Sequence, residues 1–514
     1  MIAKLDDSRT RINLTFQTRL ESDQAYMFFT RKKKNSFFKK KKNKFFKEDT
    51  RFIKNDTIPI GLWNELRTMS SKFRLPLKFD DFNSYLDNSI NDEYINLFVE
   101  KLLERTEFKK DDDQLKAVLK AIKYKRCIID GCTSFGKTIV MYMISMLLLH
   151  RKLTNKILII TLDPGLVMQC RDDFITYCSG KYDLKMGVVY GGNFPLDIDR
   201  KKIVICNFQA GVNLSEGFLK TFDTVLIDEV HRSNTEFHNT IFRKIGNERI
   251  IRKIGFTGSI RDDKTAEFYE LLSLYGPIVH KISKRYWIDK GMAADLEIIC
   301  TVLNYADNDT RRRLAEIRSK ATDYTKVVDM EMQAIRNSQI RLDFLTNHMI
   351  KQDGNGICFF LDKKNGYGKR IAEALRLKGG KDVYYIDGDT PQKTRELYKQ
   401  RISEGHNAIL VASFPTYSTG QSIKSIKNIY LAESRKAFEL LSQTLGRGMR
   451  LDKERGKLVC KIWDITDDFS IDEQLFEYKG YSLQHLQERI TIYKEEQLKY
   501  TIRKINLTNE RLNW

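Results

Sequence analysis

The sequence lacks the features of a membrane or secreted protein. Its longest predominantly apolar run, Ile139 to Leu149, has 11 residues, which is too short to span a bilayer. The first residues, Met1 to Asp7, do not have the basic-then-apolar layout of a secretory signal. The eight cysteines include no C-x-x-C pair and have no histidine partners at zinc spacing, which argues against a disulfide framework or a zinc site. We therefore expect a cytoplasmic protein with reduced, buried thiols.

Positive charge, in contrast, is abundant and unevenly distributed. The chain has 514 residues and a net charge of +21, and residues 31–54 hold twelve Lys or Arg against two acidic residues. Phe37, Phe38, Phe45 and Phe46 are interleaved with these lysines. Lysines neutralise phosphates and aromatic rings stack on bases, so the segment suits a polyanionic partner such as nucleic acid. A solvated arm that only carries charge is the alternative.

A phosphate-binding pattern follows the strand-like run Cys127 to Asp130. It reads Gly-x-x-x-x-Gly-Lys-Thr, and its members are Gly131, Cys132, Thr133, Ser134, Phe135, Gly136, Lys137 and Thr138. In such a loop the glycines let backbone N–H groups close around a triphosphate, the lysine reaches the outer phosphates, and the threonine hydroxyl takes a Mg²⁺ ion. The helix N-terminus that follows adds a partial positive charge. The pattern predicts a nucleotide site.

A second apolar strand, about 90 residues after the phosphate loop, is followed directly by two carboxylates. Val225 to Ile227 leads into Asp228 and Glu229. Phosphoryl transfer needs one carboxylate that holds Mg²⁺ and one group that orients the attacking water. We therefore expect Asp228 to hold the metal ion and Glu229 to activate water.

Strand and helix patterns alternate through most of the chain, which predicts α/β halves with parallel sheets. The predicted strands are 126–130, 156–161, 187–190, 202–206, 223–228 and 251–257 in the first half, and 355–361, 382–386, 407–411, 428–431 and 457–465 in the second. The second half has no phosphate loop. It does contain Arg447 and Arg450, three residues apart on one helix face, which are either surface residues or groups that reach a γ-phosphate. A C-terminal helix is predicted from the 3-and-4 spacing of Leu483, Leu486, Ile490, Tyr493 and Tyr500.

Taken in order, these motifs resemble the superfamily 2 helicases, and within them the UvsW-type phage DNA helicases, over about residues 114–505. Besides the phosphate loop, the matches are Thr161 to Gln169 with motif Ia, Asn207 to Gln209 with motif Ic, Asp228 to His231 with motif II, Phe256 to Ser259 with motif III, Ser418 to Ser422 with motif V, and Gln443 to Arg450 with motif VI.

The resemblance implies two RecA-like domains that hydrolyse ATP with Mg²⁺ and move along nucleic acid. It implies an adenine-reading role for Gln114, a further nucleotide contact at Gly420, and catalytic contacts to the γ-phosphate from Gln443, Arg447 and Arg450. Contacts to nucleic acid are expected from Pro164, Gln169, Gly191, Gln209 and Thr419 and, in the basic segment, from Lys33, Lys40 and Lys41. The family usually has an aromatic residue just before the adenine-reading glutamine, whereas Asp111, Asp112 and Asp113 stand there in this chain.

The resulting domain prediction has four parts. They are a small α+β N-terminal nucleic-acid-binding domain with a Lys/Phe-rich insert (1–108), a first RecA-like domain (109–292), a second RecA-like domain (293–470) and a C-terminal helical extension (471–514).

The resemblance predicts an ATP-dependent helicase that unwinds or branch-migrates branched duplex DNA while tracking one strand. It implies a monomer in the host cytoplasm, with phage recombination or replication proteins as candidate partners. An RNA helicase and an annealing protein with a secondary ATPase are the alternatives.

Overall fold

The structure, a computed structural model, divides into two compact units, Met1–Ile282 and Ser283–Trp514. It describes residues 1–507 except 8–9, 34–48, 81–85, 105, 182, 233–234, 247–250, 259, 261–263, 306–307, 321–323, 362–365, 415–422, 424, 434–443, 447, 451, 453–458 and 474–475. Each unit contains one seven-stranded parallel sheet, so the predicted pair of parallel-sheet halves is confirmed.

The first unit begins with a small mixed sheet in the order β5-β2-β1-β6 and a separate two-stranded ribbon, β3–β4. The strands are β1 (Ile2–Leu5), β2 (Arg11–Thr15), β3 (Thr30–Lys32), β4 (Asp49–Arg51), β5 (Thr57–Pro59) and β6 (Lys78–Asp80), and the helices are α1 (Arg19–Phe28), α2 (Trp63–Phe73) and α3 (Asp92–Leu103). Lys32 pairs with Asp49 in the ribbon. The Lys/Phe-rich insert therefore connects two paired strands, and its ends are held together.

The large sheet of the first unit has the strand order β13-β7-β12-β11-β8-β10-β9. Its strands are β7 (Arg126–Gly131), β8 (Ile157–Thr161), β9 (Met186–Val189), β10 (Ile203–Asn207), β11 (Thr224–Ile227), β12 (Arg252–Thr257) and β13 (Ile278–Ile282). The helices are α4 (Asp112–Tyr124), α5 (Lys137–His150), α6 (Pro164–Cys178), α7 (Phe208–Asn213), α8 (Glu216–Leu219), α9 (Thr235–Ile245) and α10 (Ala266–Tyr275). Strands β7, β8, β10, β11 and β12 are buried at every residue, as expected when helices cover both faces of a parallel sheet.

The small sheet and the large sheet of the first unit share one hydrophobic core. At Gly61 an added Cβ atom would lie only 2.1 Å from the carbonyl oxygen of Leu272 in α10, so a glycine is required for this approach. The indole of Trp63 stacks on the Tyr124 ring with a centroid distance of 6.1 Å. These contacts fix the N-terminal elements to the first large sheet.

The second unit has the strand order β16-β17-β15-β18-β19-β14-β22. Its strands are β14 (Asp295–Tyr305), β15 (Asn355–Phe360), β16 (Asp382–Ile386), β17 (Ala408–Ser413), β18 (Ile426–Leu431), β19 (Val459–Asp468), β20 (Ile471–Glu473), β21 (Phe476–Tyr478) and β22 (Tyr500–Leu507). The helices are α11 (Lys284–Asp289), α12 (Asn308–Lys320), α13 (Tyr324–Asn337), α14 (Gln339–Lys351), α15 (Tyr367–Lys378), α16 (Gln392–Glu404) and α17 (Tyr481–Glu495).

The C-terminal segment differs in part from its prediction. Helix α17 packs back on its own unit, where Arg489 donates hydrogen bonds of 2.9 and 2.8 Å to both carboxylate oxygens of Asp464. Tyr500, however, begins β22, which pairs in parallel with β14. The apolar spacing of the helix continues by coincidence into a strand, and the segment is not helical throughout.

All eight cysteines are buried and free, which fits the expected reduced thiols. Among the residues that the structure describes, no helix is long and apolar enough to cross a bilayer.

Candidate nucleotide and nucleic-acid site

Strand order places the sequence motifs along the carboxyl edge of the first large sheet. The phosphate loop follows β7, motif III ends β12 and motif II follows β11, and these three strands are neighbours. The next three strands in the sheet are β8, β10 and β9. Motif Ia lies at the end of β8, motif Ic (Asn207 to Gln209) at the end of β10, and Gly191 just after β9. Ligands of open α/β sheets bind outside this edge. One half of this edge therefore carries the phosphate loop and motifs II and III, and the adjacent half carries the segments predicted to contact nucleic acid.

The phosphate loop turns back on itself between β7 and α5. Gly136 has a φ of 84°, and a Cβ atom there would lie 2.6 Å from the side-chain nitrogen of Gln114, so both backbone conformation and space require glycine. Cys132 and Phe135 are buried, so any nucleotide contact from these two positions would come from the backbone. Thr133, Ser134 and Thr138 are at least partly exposed.

Gln114 is held against the phosphate loop. Its side-chain amide donates a 2.8 Å hydrogen bond to the carbonyl oxygen of Phe135. Asp111 caps α4 by accepting hydrogen bonds from the backbone N–H groups of Asp113 (2.9 Å) and Gln114 (3.1 Å). Asp111, one of the acidic residues that stand where the family usually has an aromatic residue, thus has a local structural role as an N-cap.

The Lys137 side chain lies against motif II. Its Nζ is 3.4 Å from Glu229 Oε1 and 3.4 Å from the carbonyl oxygen of Gly131. Gly258 of motif III permits this packing, since a Cβ atom there would lie 3.1 Å from Lys137 Nζ and 2.9 Å from the Gly131 carbonyl oxygen. The structure thus brings the predicted phosphate-binding lysine and the predicted water-activating carboxylate into contact.

Glu229 adopts an unusual backbone conformation. Its φ is 50°, in the left-handed region, which costs a non-glycine residue about 1–2 kcal/mol. The turn is stabilised because Asp228 donates its N–H to Ile160 (2.9 Å) and Val230 donates to Phe256 (3.0 Å). Strain of this kind occurs preferentially at functional sites.

One carboxylate oxygen of Glu229 lacks a hydrogen-bond donor among the described residues. Glu229 Oε2 is buried and accepts no hydrogen bond from the described residues, although His231 Nδ1 lies 3.5 Å away. His231 instead contacts the hydroxyl of Thr257 at 2.6 Å, which links motif II to motif III. A buried acceptor without a donor is suited to hold a water molecule.

The charges of this cluster are strongly perturbed. Burial and the neighbouring Glu229 charge raise the pKa of Asp228 to about 7. Burial would raise the pKa of Glu229, but the positive charge of Lys137 holds it below its usual value. Burial opposes ionisation of Lys137, yet Glu229 and Asp228 raise its pKa. Such perturbed groups in a cleft are typical of catalytic sites.

The donor set fits a magnesium ion bound together with a nucleotide. Within the described ranges, no group of three or more His, Cys, Asp or Glu side chains is arranged to hold a metal ion. Mg²⁺ usually takes only one or two protein carboxylates and completes its shell with water and substrate phosphates. The half-buried Asp228 carboxyl and Thr138 hydroxyl would be its protein ligands.

The residues predicted to contact nucleic acid in the first unit share the same edge. Pro164, Gln169, Gly191 and Gln209 are exposed, and Gln209 accepts a 2.6 Å hydrogen bond from Asn207. Their role stays a prediction.

Sequence reasoning missed an apolar tip beside them. Gly191 and Gly192 both have positive φ angles, 52° and 83°, in a tight turn between Tyr190 and Asn193. Phe194 is 51% exposed and Leu196 is fully exposed. The Gly-Gly pair signalled the turn, but no pattern in the sequence showed that the following apolar side chains face outward.

Only some of the remaining predicted site residues lie within the described part of the chain. Gly420, Thr419, Gln443, Arg447, Lys40 and Lys41 lie outside the described residues. Arg450 and Lys33 are half-buried. Arg31, at the start of the basic segment, donates a 2.6 Å hydrogen bond to the Tyr269 hydroxyl and its guanidinium lies 4.3 Å from that ring centroid. It anchors the segment.

Comparison with known proteins gives two family matches. Residues 100–262 match the "Type III restriction enzyme, res subunit" family and residues 340–452 match the "Helicase conserved C-terminal domain" family. The chain is 24% identical over 474 residues to the "ATP-dependent DNA helicase uvsW" of Enterobacteria phage T4, which covers 88% of this chain and 89% of that relative.

One solved structure shows similarity of fold, and a second is reported beside it. A fragment of a putative HsdR subunit of a type I restriction enzyme from Vibrio vulnificus is 19% identical, covers 81% of this chain and 72% of its own, and has a TM-score of 0.56. The crystal structure of T4 UvsW covers 99% of both chains at 22% identity with a TM-score of 0.47.

Proposed function

We propose that this chain unwinds or branch-migrates branched duplex DNA during phage recombination, replication or repair. The premise is that it is an ATP-dependent superfamily 2 DNA helicase related to UvsW. The observation that carries the catalytic part is the half-buried contact of Lys137 with Glu229 beside Asp228, below the phosphate loop. The preference for branched DNA rests on the relative.

In this proposal, ATP binding exchanges the partner of Lys137. Without nucleotide, the Lys137 ammonium neutralises Glu229 at 3.4 Å. The γ-phosphate of ATP would attract the same ammonium and release Glu229. The carboxylate, with its second oxygen already unsatisfied, could then orient water for attack.

Magnesium would supply neutralisation of charge on the phosphates. Asp228 and Thr138 are its proposed ligands, and binding would require Asp228 to lose the proton that its pKa of about 7 favours at lower pH. Gln443, Arg447 and Arg450 are proposed to contact the γ-phosphate, and Gly420 the nucleotide. Thr419, Lys40, Lys41 and Lys33 remain proposed contacts to nucleic acid.

The test of the catalytic assignment uses Lys137→Ala and Glu229→Gln. We expect both variants to lose ATP turnover stimulated by single-stranded DNA, and to bind DNA within about twofold of the wild-type protein. Exposed Lys220→Ala is the matched control and should behave as wild type. ATPase activity within a few-fold of wild type in either site variant would refute the assigned roles.

The substrate is tested separately by comparing ATPase stimulation and unwinding on single strand, linear duplex, fork, four-way junction and RNA. We expect forks and four-way junctions to be unwound most rapidly. Equal or greater activity on RNA would instead support an RNA helicase, with the catalytic assignment unaffected.

A further inference from the structure

A groove with an apolar floor opens on the first unit, away from the phosphate loop. It has a volume of about 840 Å³, and its floor includes Leu97 and Phe98 of α3, Met146 and Leu149 of α5, and Leu184 just before β9. The volume lies within the range of about 300–1,000 Å³ found for ligand clefts. Leu97 is 48% exposed, so an apolar side chain is available at the surface of the groove.

The groove lies at the amino edge of the large sheet. Thr154 and Asn155, which precede β8, and Lys202, which precedes β10, belong to its walls. The phosphate loop and the predicted nucleic-acid contacts follow the carboxyl ends of parallel strands. An occupant of the groove would therefore bind at the edge of the sheet opposite the proposed motor site.

Lysines from four separate parts of the chain surround the floor. Lys101, Lys152, Lys185 and Lys202 line the groove and are all exposed. Within the described part of the chain, none of their ammonium groups forms an ion pair with a carboxylate. Asp183 is the acidic residue on the wall, and its Oδ1 accepts a 3.0 Å hydrogen bond from the Lys185 N–H. The rim thus attracts negative charge.

The floor is suited to burying an aliphatic or aromatic side chain. Three aromatic rings line the groove, those of Tyr94, Phe98 and His150, and each is already in contact with another residue. The Tyr94 ring is covered by the Arg151 guanidinium at 4.8 Å from its centroid and packs on Phe98 at 6.5 Å. Phe98 also contacts the His150 ring at 5.1 Å. The leucine and methionine side chains of the floor are also partly accessible and would bury an apolar side chain.

We propose that this groove docks an acidic peptide segment of a partner protein, with an aliphatic or aromatic side chain buried on the floor and carboxylates facing the four lysines. Charge complementarity of this kind fixes specificity and speeds association. Docking at the amino edge would recruit a partner without blocking the ATP or DNA sites.

The test uses the full-length protein and an immobilised array of octapeptides. Each peptide has three aspartates on either side of two central positions, and the central pair covers all combinations of the amino acids. We expect binding to concentrate on central Leu, Ile, Met, Phe and Trp, and the best peptide, labelled with fluorescein, to give a dissociation constant by anisotropy.

Two groove variants and one control identify the site of binding. Leu97→Asp, and the double variant Lys101→Glu with Lys185→Glu, should each weaken the labelled peptide at least tenfold. Leu377→Asp, at a leucine that is 89% exposed in the second unit, should leave affinity within twofold. ATPase activity stimulated by single-stranded DNA should be unchanged in all three proteins.

Three results would overturn the proposal. The first is an array without any binding peptide. The second is equal binding of peptides with serine at both central positions. The third is displacement of the peptide by a single-stranded oligonucleotide whose own affinity falls in the lysine variant, which would assign the groove to nucleic acid.

Discussion

Replacing Asp228 by asparagine should stabilise the nucleotide-free protein above neutral pH. The pKa of this carboxyl is raised from 3.8 to about 7 by burial and by Glu229. Between these two values the folded state binds more protons than the unfolded chain, so the contribution of Asp228 to stability falls as pH rises through about 4 to 7. Asparagine has the same shape and does not ionise, so it avoids this loss.

The size of the effect follows from the same values. Each pKa unit corresponds to about 1.4 kcal/mol, so ionising Asp228 costs the folded state up to about 4 kcal/mol relative to the unfolded chain. For a unit of this size, 1 kcal/mol shifts the melting temperature by about 2–4 °C. We expect Asp228→Asn to melt several degrees above wild type at pH 8.5 and close to wild type at pH 4.5.

The assay is thermal melting of the intact protein across pH 4.5–8.5, with Asp172→Asn as control. Asp172 is an exposed carboxylate on α6, so its replacement removes the same charge without relieving burial. Addition of ADP with Mg²⁺ should raise the melting temperature of wild type more than that of Asp228→Asn, because the ion would compensate the ionised carboxylate. Identical pH dependence of wild type and Asp228→Asn would refute the electrostatic argument.

Three further predictions concern the motor. Arg450→Ala should lower kcat of DNA-stimulated hydrolysis by roughly 10³ or more, as for arginine fingers; a change confined to KM would exclude that role. Replacing 33–48 by Asn-Gly, a turn suited to joining Lys32 to Asp49, removes eight lysines. If half of these lysines contact phosphates, the slope of log K for duplex DNA against log salt should flatten by about 4. An unchanged slope would exclude contacts between this segment and the duplex. Leu196→Ser should reduce junction unwinding about tenfold with ATPase intact, while Leu377→Ser changes neither; equal unwinding by both would exclude a role for the tip.

Most of the buried strands could be predicted from sequence because burial on both faces leaves a continuous apolar run, although the largely buried β14 was not predicted. The run 156–161 corresponds to β8 and the run 251–257 to β12. The edge strand β22 was missed for the opposite reason. Most of its residues are exposed or half-exposed, and they include Arg503 and Lys504, so nothing in its composition distinguishes it from a polar loop.

The candidate site, too, could be predicted from the sequence only in part. Motif spacing identified Lys137, Asp228 and Glu229 as residues of one site. The contact of Lys137 with Glu229, the left-handed backbone at Glu229 and the raised pKa of Asp228 could not be predicted, because each depends on how β7, β11 and β12 lie side by side. Neighbouring strands in the sheet are distant in the sequence, and their spacing in the chain does not fix the distance between side chains.

The shared core of the first unit has a mechanical consequence for the basic insert. Gly61 packs directly on the α10 backbone, and Arg31, next to the insert, is held by Tyr269 of the same helix. Helix α10 follows β12, whose end carries Gly258 beside Lys137. Close-packed elements of this kind move as one body rather than deform continuously. If the insert contacts duplex DNA, that contact would therefore be rigidly connected to the sheet that carries the proposed ATP site.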